Sequence, residues 1–346
     1  MNESSPSASP TPHRVSVVIP VYQGERTLGR VVEELVEYSV TSASPQGRRF
    51  EVTEIIPVYD HGPDGSARVI RELAERHAIV RPVWLSRNFG QHPATMAGMA
   101  SSSGDWIVTM DEDGQQDPAF IGRLLDAAVE DRAGVVYGAP TNPPPHGAFR
   151  NAASRASKRI TSMLMGSDQA SKYNSYRFLL GEVGRSVAAY AGPGVYLDVA
   201  LGWIANKTST APVVARQEGD DRRSGYRLRT LLSHFWRMVV TSGTRVLRLV
   251  SLLGALIALI GVVLAVWIAV AHLVGAGTNI QGWSSLMVVI LLSSGAILFA
   301  LGVLAEYIGV AVNSALGRPL YVISSDPLAG PLYRDSVAQA PRSPTQ

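Results

Sequence analysis

Cysteine is absent from this 346-residue chain, which excludes disulfide bonds, thiolate zinc sites and cysteine nucleophiles together. A chain without thiols survives in any redox environment, so the absence says little about compartment. Charge is also scarce, at 17% of residues against 46% hydrophobic, and the mean hydropathy is slightly positive at +0.12. That balance is too apolar for an ordinary soluble enzyme and too polar for a transporter made of many spans. A soluble part joined to a few membrane segments satisfies both. The length accommodates one large domain with an appendage, or two modest domains. Lysine is rare, and the residues that set a net charge of +3 and a pI near 9.2 are overwhelmingly arginine. A mild basic excess suits nucleic acid, anionic lipid or phosphate-bearing ligands. The first dozen residues are Ser/Pro-rich and have no apolar core behind a basic start, so 1–13 reads as a disordered tail and not as a signal peptide. The end, from about Asp326, is again rich in Pro, Ser and Ala and reads the same way.

From Arg14 to about Gly138, short β-rich runs alternate with amphipathic stretches. VSVVIPV from Val15 reads as a buried strand, with a helix from near Arg26. EVTEIIPVY from Glu51 is a second strand, with a helix over Ser66 to His77. IVRPVWL and DWIVTM follow as strands, each leading into a helix, and GVVYG closes the series. Strands spaced by helices of this length predict crossovers and a mostly parallel sheet. Ligands of such sheets sit beyond the carboxyl ends of the strands, which directs attention to the loops after Ile19, Val58, Leu85 and Met110.

Two long stretches, Leu249 to Val274 and Ser284 to Leu304, contain no Lys, Arg, Asp or Glu. Each meets the roughly 20 residues that cross about 30 Å of hydrocarbon as a helix, so both read as membrane spans. The linker from Gly275 to Trp283 has no basic residue. Arg222, Arg223, Arg227, Arg229, Arg237, Arg245 and Arg248 precede the first span, and Arg318 follows the second. Basic flanks stay inside, which places both termini and the soluble domain in the cytoplasm and the linker outside. Over 226–248, Leu228, Leu231, Leu232, Phe235, Met238 and Val239 recur at helical spacing among arginines. That pattern suits a helix lying in the membrane interface, or one packed on the soluble domain. Arginines gathered beside spans, without aromatic platforms, argue against a nucleic-acid partner.

The sharpest feature is DEDGQQDP from Asp111, at the end of a strand and before a helix. Carboxylates at alternate positions of a turn need a counter-charge if they are enclosed. A divalent cation with oxygen ligands, Mg²⁺ or Mn²⁺, supplies one and binds a diphosphate in turn. A solvated acidic turn has the same composition. A second basic feature, Arg150, Arg155, Lys158 and Arg159 ahead of Ile160 and Met163, suits a lipid phosphate near the interface or a solvated helix face.

These segments together resemble family 2 glycosyltransferases of the dolichyl-phosphate mannose synthase and undecaprenyl-phosphate sugar transferase type, from about Val15 to Val322. VSVVIPVYQGERTL resembles the family's first strand and its Pro-x-Tyr turn, and EIIPVYDHGPDGS its strand followed by Val-Asp-Asp-Gly-Ser. LSRNFGQHPATMAG resembles the Arg-Asn-x-Gly segment, DEDGQQDP the Asp-x-Asp-x-Gln segment, and EYIGVAVNSALGRPLYVI the family's ending. The resemblance implies a GT-A-like (Rossmann-like) α/β catalytic domain over 14–225. An interfacial helix, spans at 249–274 and 284–304, and a cytoplasmic tail over 305–346 complete the expected chain. It implies that Pro20, Tyr22, Val58 and Asp60 contact the nucleoside, and that Asp113 and Gln115 hold the metal. Asp111 and Glu112 would hold nucleotide and sugar, with Asp111 and Asp113 at the catalytic centre, and Arg222 or Arg223 would close on the diphosphate. Arg150 and Arg155 are the candidates for the lipid phosphate.

The chain departs from the pattern at Tyr59, where the family has its first Asp, at His61-Gly62, at Pro140, and in GDDRRSGY from Gly219. The base and the sugar are therefore left open, with UDP ahead of GDP. A lipid phosphate has a second pKa of about 6, so it is ionised and nucleophilic at neutral pH. No general base is needed, neither His61 nor His92 is assigned as one, and displacement at the anomeric carbon is expected to be direct and inverting. A processive polysaccharide synthase would carry a Gln-x-x-Arg-Trp motif and more spans, and neither is present. The remaining alternative is a non-catalytic membrane scaffold of the same descent. A homo-oligomer is left open, because surface patches are not visible in a sequence.

Overall fold

The computed structural model describes residues 11–142, 173–192, 195–216, 245–274, 283–317 and 319–329. Its centre is a nine-stranded sheet in the order β8-β6-β7-β5-β1-β3-β4-β9, with β2 (Ser42–Ala43) paired to β3. The strands are β1 (His13–Val21), β3 (Arg49–Tyr59), β4 (Val83–Leu85), β5 (Trp106–Thr109), β6 (Val135–Pro140), β7 (Arg177–Leu180), β8 (Thr208–Val213) and β9 (Ile323–Ser324). β1 lies between β3 and β5 and is parallel to both. The β3–β4 and β6–β8 pairs are also parallel, whereas β2, β7 and β9 run antiparallel to their neighbours. An uninterrupted apolar run suits a central strand covered on both faces, and every residue of β1 from Val15 to Val21 is buried.

Helices cover the two faces. Val15, Val17, Ile19 and Val21 join one core cluster with residues of α1 (Leu28–Val36), α2 (Ser66–Arg76) and α4 (Ile121–Asp131). Val18, Ile56 and Val58 join the other, under α3 (Gln91–Ala100), α5 (Gly181–Tyr190) and α6 (Leu197–Ile204). The alternation along β1 follows from the two-residue period of a strand. Helix α1 buries Leu28, Val31, Val32 and Leu35, the i, i+3, i+4, i+7 stripe of an amphipathic helix. Helix α3 lies so close to the sheet that a Cβ at Gly98 would stand 2.3 Å from Val18 Cγ1 and 2.9 Å from Val58 Cγ2.

At the amino-terminal end of the strands, Glu54 is 2% exposed. It accepts from Ser16 Oγ at 2.6 Å and Ser103 Oγ at 3.0 Å, and pairs with Arg81. Burial alone would raise its pKa, but these donors outweigh it and hold the carboxyl below the ordinary value. Such a group contributes stability above its unfolded pKa, and that contribution is lost as pH falls through the folded value. We expect Glu54→Ala to cost about 3 kcal/mol at pH 7, since the buried Ser16, together with Ser103 and Arg81, loses its acceptor. The difference from wild type should shrink as pH is lowered below the carboxylate range, which urea titrations at several pH values would measure. An unchanged difference at low pH would refute the linkage.

Beyond β8, α7 (Arg245–Leu273) and α8 (Trp283–Ala315) are long helices. Among the described residues one stretch, Ser293–Val312, is long and apolar enough to cross a membrane; Val250–Val263 is a shorter apolar segment. The expected interfacial helix lies, up to residue 244, outside the described residues. After α8 the chain returns to the central sheet. β9 pairs antiparallel with β4, and Asp326 receives Arg71 Nε at 2.6 Å and Nη2 at 2.7 Å. Sheet membership therefore extends past the carboxyl boundary at residue 225 expected from the sequence.

Candidate active site

The loops that leave β1, β3, β4 and β5 at their carboxyl ends enclose a cavity of about 430 Å³. Its wall is built from Pro20 to Gln23 at the end of β1, Asp60 after β3, Asn88 and Gly90 ahead of α3 with Gln91 at its start, and Asp111 to Asp113 after β5. These are the loops that a parallel sheet offers to a ligand.

The turn after β1 is fixed from two sides. Both oxygens of Glu112 accept backbone N–H groups, Tyr22 N at 2.8 Å and Gln23 N at 2.9 Å. The carboxylate expected to hold nucleotide and sugar thus braces the turn that carries Tyr22, a residue 44% exposed. On the other side Gly62 abuts the Tyr22 carbonyl so closely that a Cβ would fall 1.5 Å from that oxygen. Gly24 N donates to Ser66 Oγ at 2.8 Å, and Asp60 N to the Val21 carbonyl at 2.9 Å.

Asp60 is 2% exposed and caps the loop after β4, accepting from Phe89 N at 2.7 Å and Gly90 N at 2.8 Å. Burial pushes its pKa up, and the two amides only partly offset that. Val58 does not line the cavity. It is wholly buried under α3, because on a strand covered on both faces the side chain two residues before the loop points into the core. Tyr59, where the family has an acid, is a packed aromatic: its hydroxyl donates to the Gly62 carbonyl at 3.1 Å and its ring meets Trp84 edge-on.

Asp111 is encircled by donors. Gln91 Nε2 donates to Oδ1 at 2.7 Å, and Gln116 Nε2 to Oδ2 at 3.1 Å. Ser175 Oγ also donates to Oδ2, and Gln116 Oε1 accepts the Asp111 N–H at 2.9 Å. Burial raises its pKa from the ordinary value; the Ser175 hydrogen bond works against this, and the nearby Asp113 charge adds to it. Asp113 accepts Gln115 N at 3.0 Å and faces the cavity. Gln115 is not part of that wall; its carbonyl accepts Arg216 N at 2.8 Å. Arg216 also pairs with Asp117 and Glu34, so the segment that follows β8 is stitched to the carboxylate loop.

No group of three or more His, Cys, Asp or Glu side chains is poised around one point among the described residues. The donor set nevertheless fits a hard divalent ion of the Mg²⁺ or Mn²⁺ class. Such ions take one or two carboxylates and complete their shell with water and substrate phosphate, and two adjacent carboxylates raise each other's need for positive charge. Arg150, Arg155, Arg222 and Arg223 lie outside the described residues. Gln91, Gln116 and Ser175 were not singled out from the sequence. Gln91 follows the Arg-Asn-x-Gly run and had a local signal, whereas Ser175 reaches Asp111 across 64 positions and had none.

Glycosyl transferase family 2 matches residues 16–181. An undecaprenyl-phosphate 4-deoxy-4-formamido-L-arabinose transferase of Edwardsiella ictaluri is 31% identical over 316 residues, covering 90% of this chain and 93% of that protein. The protein of the same description from Yersinia enterocolitica is 33% identical over 322 residues, covering 90% and 92%. Among solved structures, glucosyl-3-phosphoglycerate synthase from Mycobacterium tuberculosis with Mn²⁺, UDP-glucose and phosphoglyceric acid is similar at a TM-score of 0.45 and 15% identity, covering 67% of this chain and 79% of that one.

Proposed function

The chain belongs to glycosyl transferase family 2, and from that membership we propose that it moves a sugar from a nucleotide sugar, a UDP-sugar in our reading, onto undecaprenyl phosphate at the cytoplasmic face of a membrane. The observation that carries the proposal is the cavity in which Asp111 and Asp113 face the Pro20–Gln23 turn across the ends of parallel strands. The exposed Tyr22 offers a nucleoside a flat wall, and Asp60 holds in place the loop that brings Asn88, Gly90 and Gln91 to the cavity. Asp113, with Gln115 brought in by the incoming diphosphate, would hold a Mg²⁺ or Mn²⁺ ion. When bound, that ion neutralises charge on the leaving diphosphate.

The acceptor phosphate oxygen attacks the anomeric carbon as the bond to the nucleoside diphosphate breaks, so the configuration inverts and the diphosphate leaves with the bonding pair. The acceptor arrives ionised, so no side chain has to remove a proton. What this chain's residues do is hold two anions in line and exclude misaligned encounters. Asp111 orients the donor, Glu112 and Gly62 keep the nucleoside turn in place, and Arg222 or Arg223 screens the diphosphates. Arg150 and Arg155 meet the lipid headgroup. The product serves cell-envelope glycan or glycoconjugate assembly.

Membranes containing the protein should incorporate label from a UDP-sugar, 4-deoxy-4-formamido-L-arabinose among the sugars offered, into chloroform-soluble lipid. Excess EDTA should abolish incorporation and Mg²⁺ or Mn²⁺ restore it. No incorporation from any UDP- or GDP-sugar would defeat the reading; incorporation insensitive to EDTA would defeat the metal assignment.

Both α7 and α8 cross the membrane in this reading, with the basic residues Arg245, Arg248 and Arg318 on the inner side. The natural absence of cysteine provides a clean probe. A cysteine placed at Gly277 should react with an impermeant maleimide in intact cells, and one at Ser325 only after lysis. The reverse pattern, or equal labelling of both, would refute the two-span topology.

A further inference from the structure

Behind the cavity wall lies a buried ionic cluster to which the proposed chemistry assigns no role. Arg177 on β7 grips Asp198 on α6 with both arms, Nε to Oδ1 at 2.6 Å and Nη2 to Oδ2 at 2.8 Å. The two side chains are 5% and 1% exposed. Tyr137 on β6 donates its hydroxyl to the same Oδ1 at 3.0 Å. Removing two charges from water is costly, and a well-packed apolar substitute is often as stable. Stability alone is therefore a poor reason for the pair. Nor is Arg177 available to a phosphate, since Asp198 already takes both of the arms that make a fork.

The remaining nitrogen points elsewhere. Arg177 Nη1 reaches the Ser175 carbonyl at 3.3 Å and Thr109 Oγ1 at 3.4 Å, and Thr109 Oγ1 donates to that same carbonyl at 2.6 Å. Thr109, the last residue of β5, is in register with Arg177 across the antiparallel β5–β7 pair. One peptide group therefore sits between the buried ion pair and the strand that delivers the carboxylate loop. From it, the Ser175 hydroxyl donates to Asp111 Oδ2 and accepts Gln116 Nε2 at 2.7 Å.

We propose that Arg177 is a positioning residue for Asp111: locked by Asp198 and Tyr137, it fixes the Ser175 backbone with Thr109, and the Ser175 hydroxyl then holds Asp111 in its orientation toward the donor. This rests on the glycosyltransferase reading and deepens it. Lysine at 177 keeps the charge but, as a point donor on a flexible stem, does not reproduce the fork and the third contact together.

The test uses the full-length protein with undecaprenyl phosphate, Mn²⁺ and whichever UDP- or GDP-sugar the wild type transfers. Folded enzyme is quantified by thermal unfolding, so that rates refer to native protein. Ser175→Ala should lower kcat/KM by about tenfold with Tm nearly unchanged, and Arg177→Lys by about ten- to a hundredfold, the range for loss of an outer partner that orients a site ligand. The double variant should be no worse than Arg177→Lys alone, because the serine acts through its held position. Tyr137→Phe, which keeps the ring and loses one hydrogen bond, repeats the comparison with Ser175→Ala should Arg177→Lys not fold. Effects that multiply in both double variants, or single variants within twofold of wild type per folded molecule, would overturn the proposal while leaving the glycosyltransferase reading intact. A wild type that transfers no sugar would overturn both.

Discussion

Asp113→Ala should lower kcat/KM for sugar transfer by about a thousandfold, about 4 kcal/mol at 1.36 kcal/mol per decade. The size follows from what the side chain is free to do. It accepts a hydrogen bond from the backbone of Gln115 two residues on, a local contact whose loss costs the fold little, and Tm should stay within a few degrees of wild type. Its carboxylate otherwise faces a cavity beside a second carboxylate, where a divalent counter-ion is worth most because water is partly excluded. Asp113→Asn separates charge from shape, since it keeps the oxygen and loses the negative charge, and should fall nearly as far. Higher Mn²⁺ should rescue the asparagine variant better than the alanine variant. A folded Asp113→Ala protein within tenfold of wild type at every metal concentration would remove this residue from the centre of the reaction.

The second large effect is expected at a residue that carries no side chain. In Gly62→Ala the new methyl would have to occupy a point 1.5 Å from the Tyr22 carbonyl oxygen and 2.6 Å from its carbon. Backbone, not a flexible side-chain tip, stands in the way, so one of the two loops must move by more than an ångström. Overpacking of this kind costs about 1–3 kcal/mol, a fall of several degrees in Tm. The kinetic loss should be larger, about a hundredfold in kcat/KM, because a misplacement of about 1 Å at a positioning loop has that effect. The loss should appear mainly in KM for the nucleotide sugar, since the displaced turn carries Tyr22 while the carboxylates stay in place. A variant with unchanged KM and wild-type Tm would mean that the two loops do not meet as described.

Both variants probe residues of contrasting legibility. The parallel core could be read from the sequence because it rests on local regularities: the apolar run of β1, the helical stripe of α1 and the turn residues between them. The ligand end followed from topology, and the loops after β1, β3, β4 and β5 do converge. What the sequence did not disclose is how polar side chains are spent. Glu112 reads as a ligand-binding group by its place in an acidic run; it lines the cavity and also accepts two amides of another loop 89 and 90 positions away. Asp60 likewise serves the backbone of residues 29 and 30 positions on. Val58 lies in the core and not in the cavity wall, since proximity in sequence to a loop does not decide which face a strand residue takes. Ser175 and Arg177 carry no local pattern at all; their part depends on β7 being laid antiparallel beside β5, a pairing that no period along the chain announces.

The pairing of β9 with β4 bears on how the enzyme can be handled. Cutting the chain ahead of Arg245 to obtain a detergent-free fragment would also discard Ile323, Ser324 and Asp326. Trp84 and Leu85 would lose their ladder partner, the Ser86 amide its acceptor at Val322, and Arg71 its bidentate carboxylate. An open strand flank with a tryptophan on it invites self-association. A workable soluble version would graft residues 319–329 back onto the truncated domain through a short linker, so that the flank is closed by its own strand.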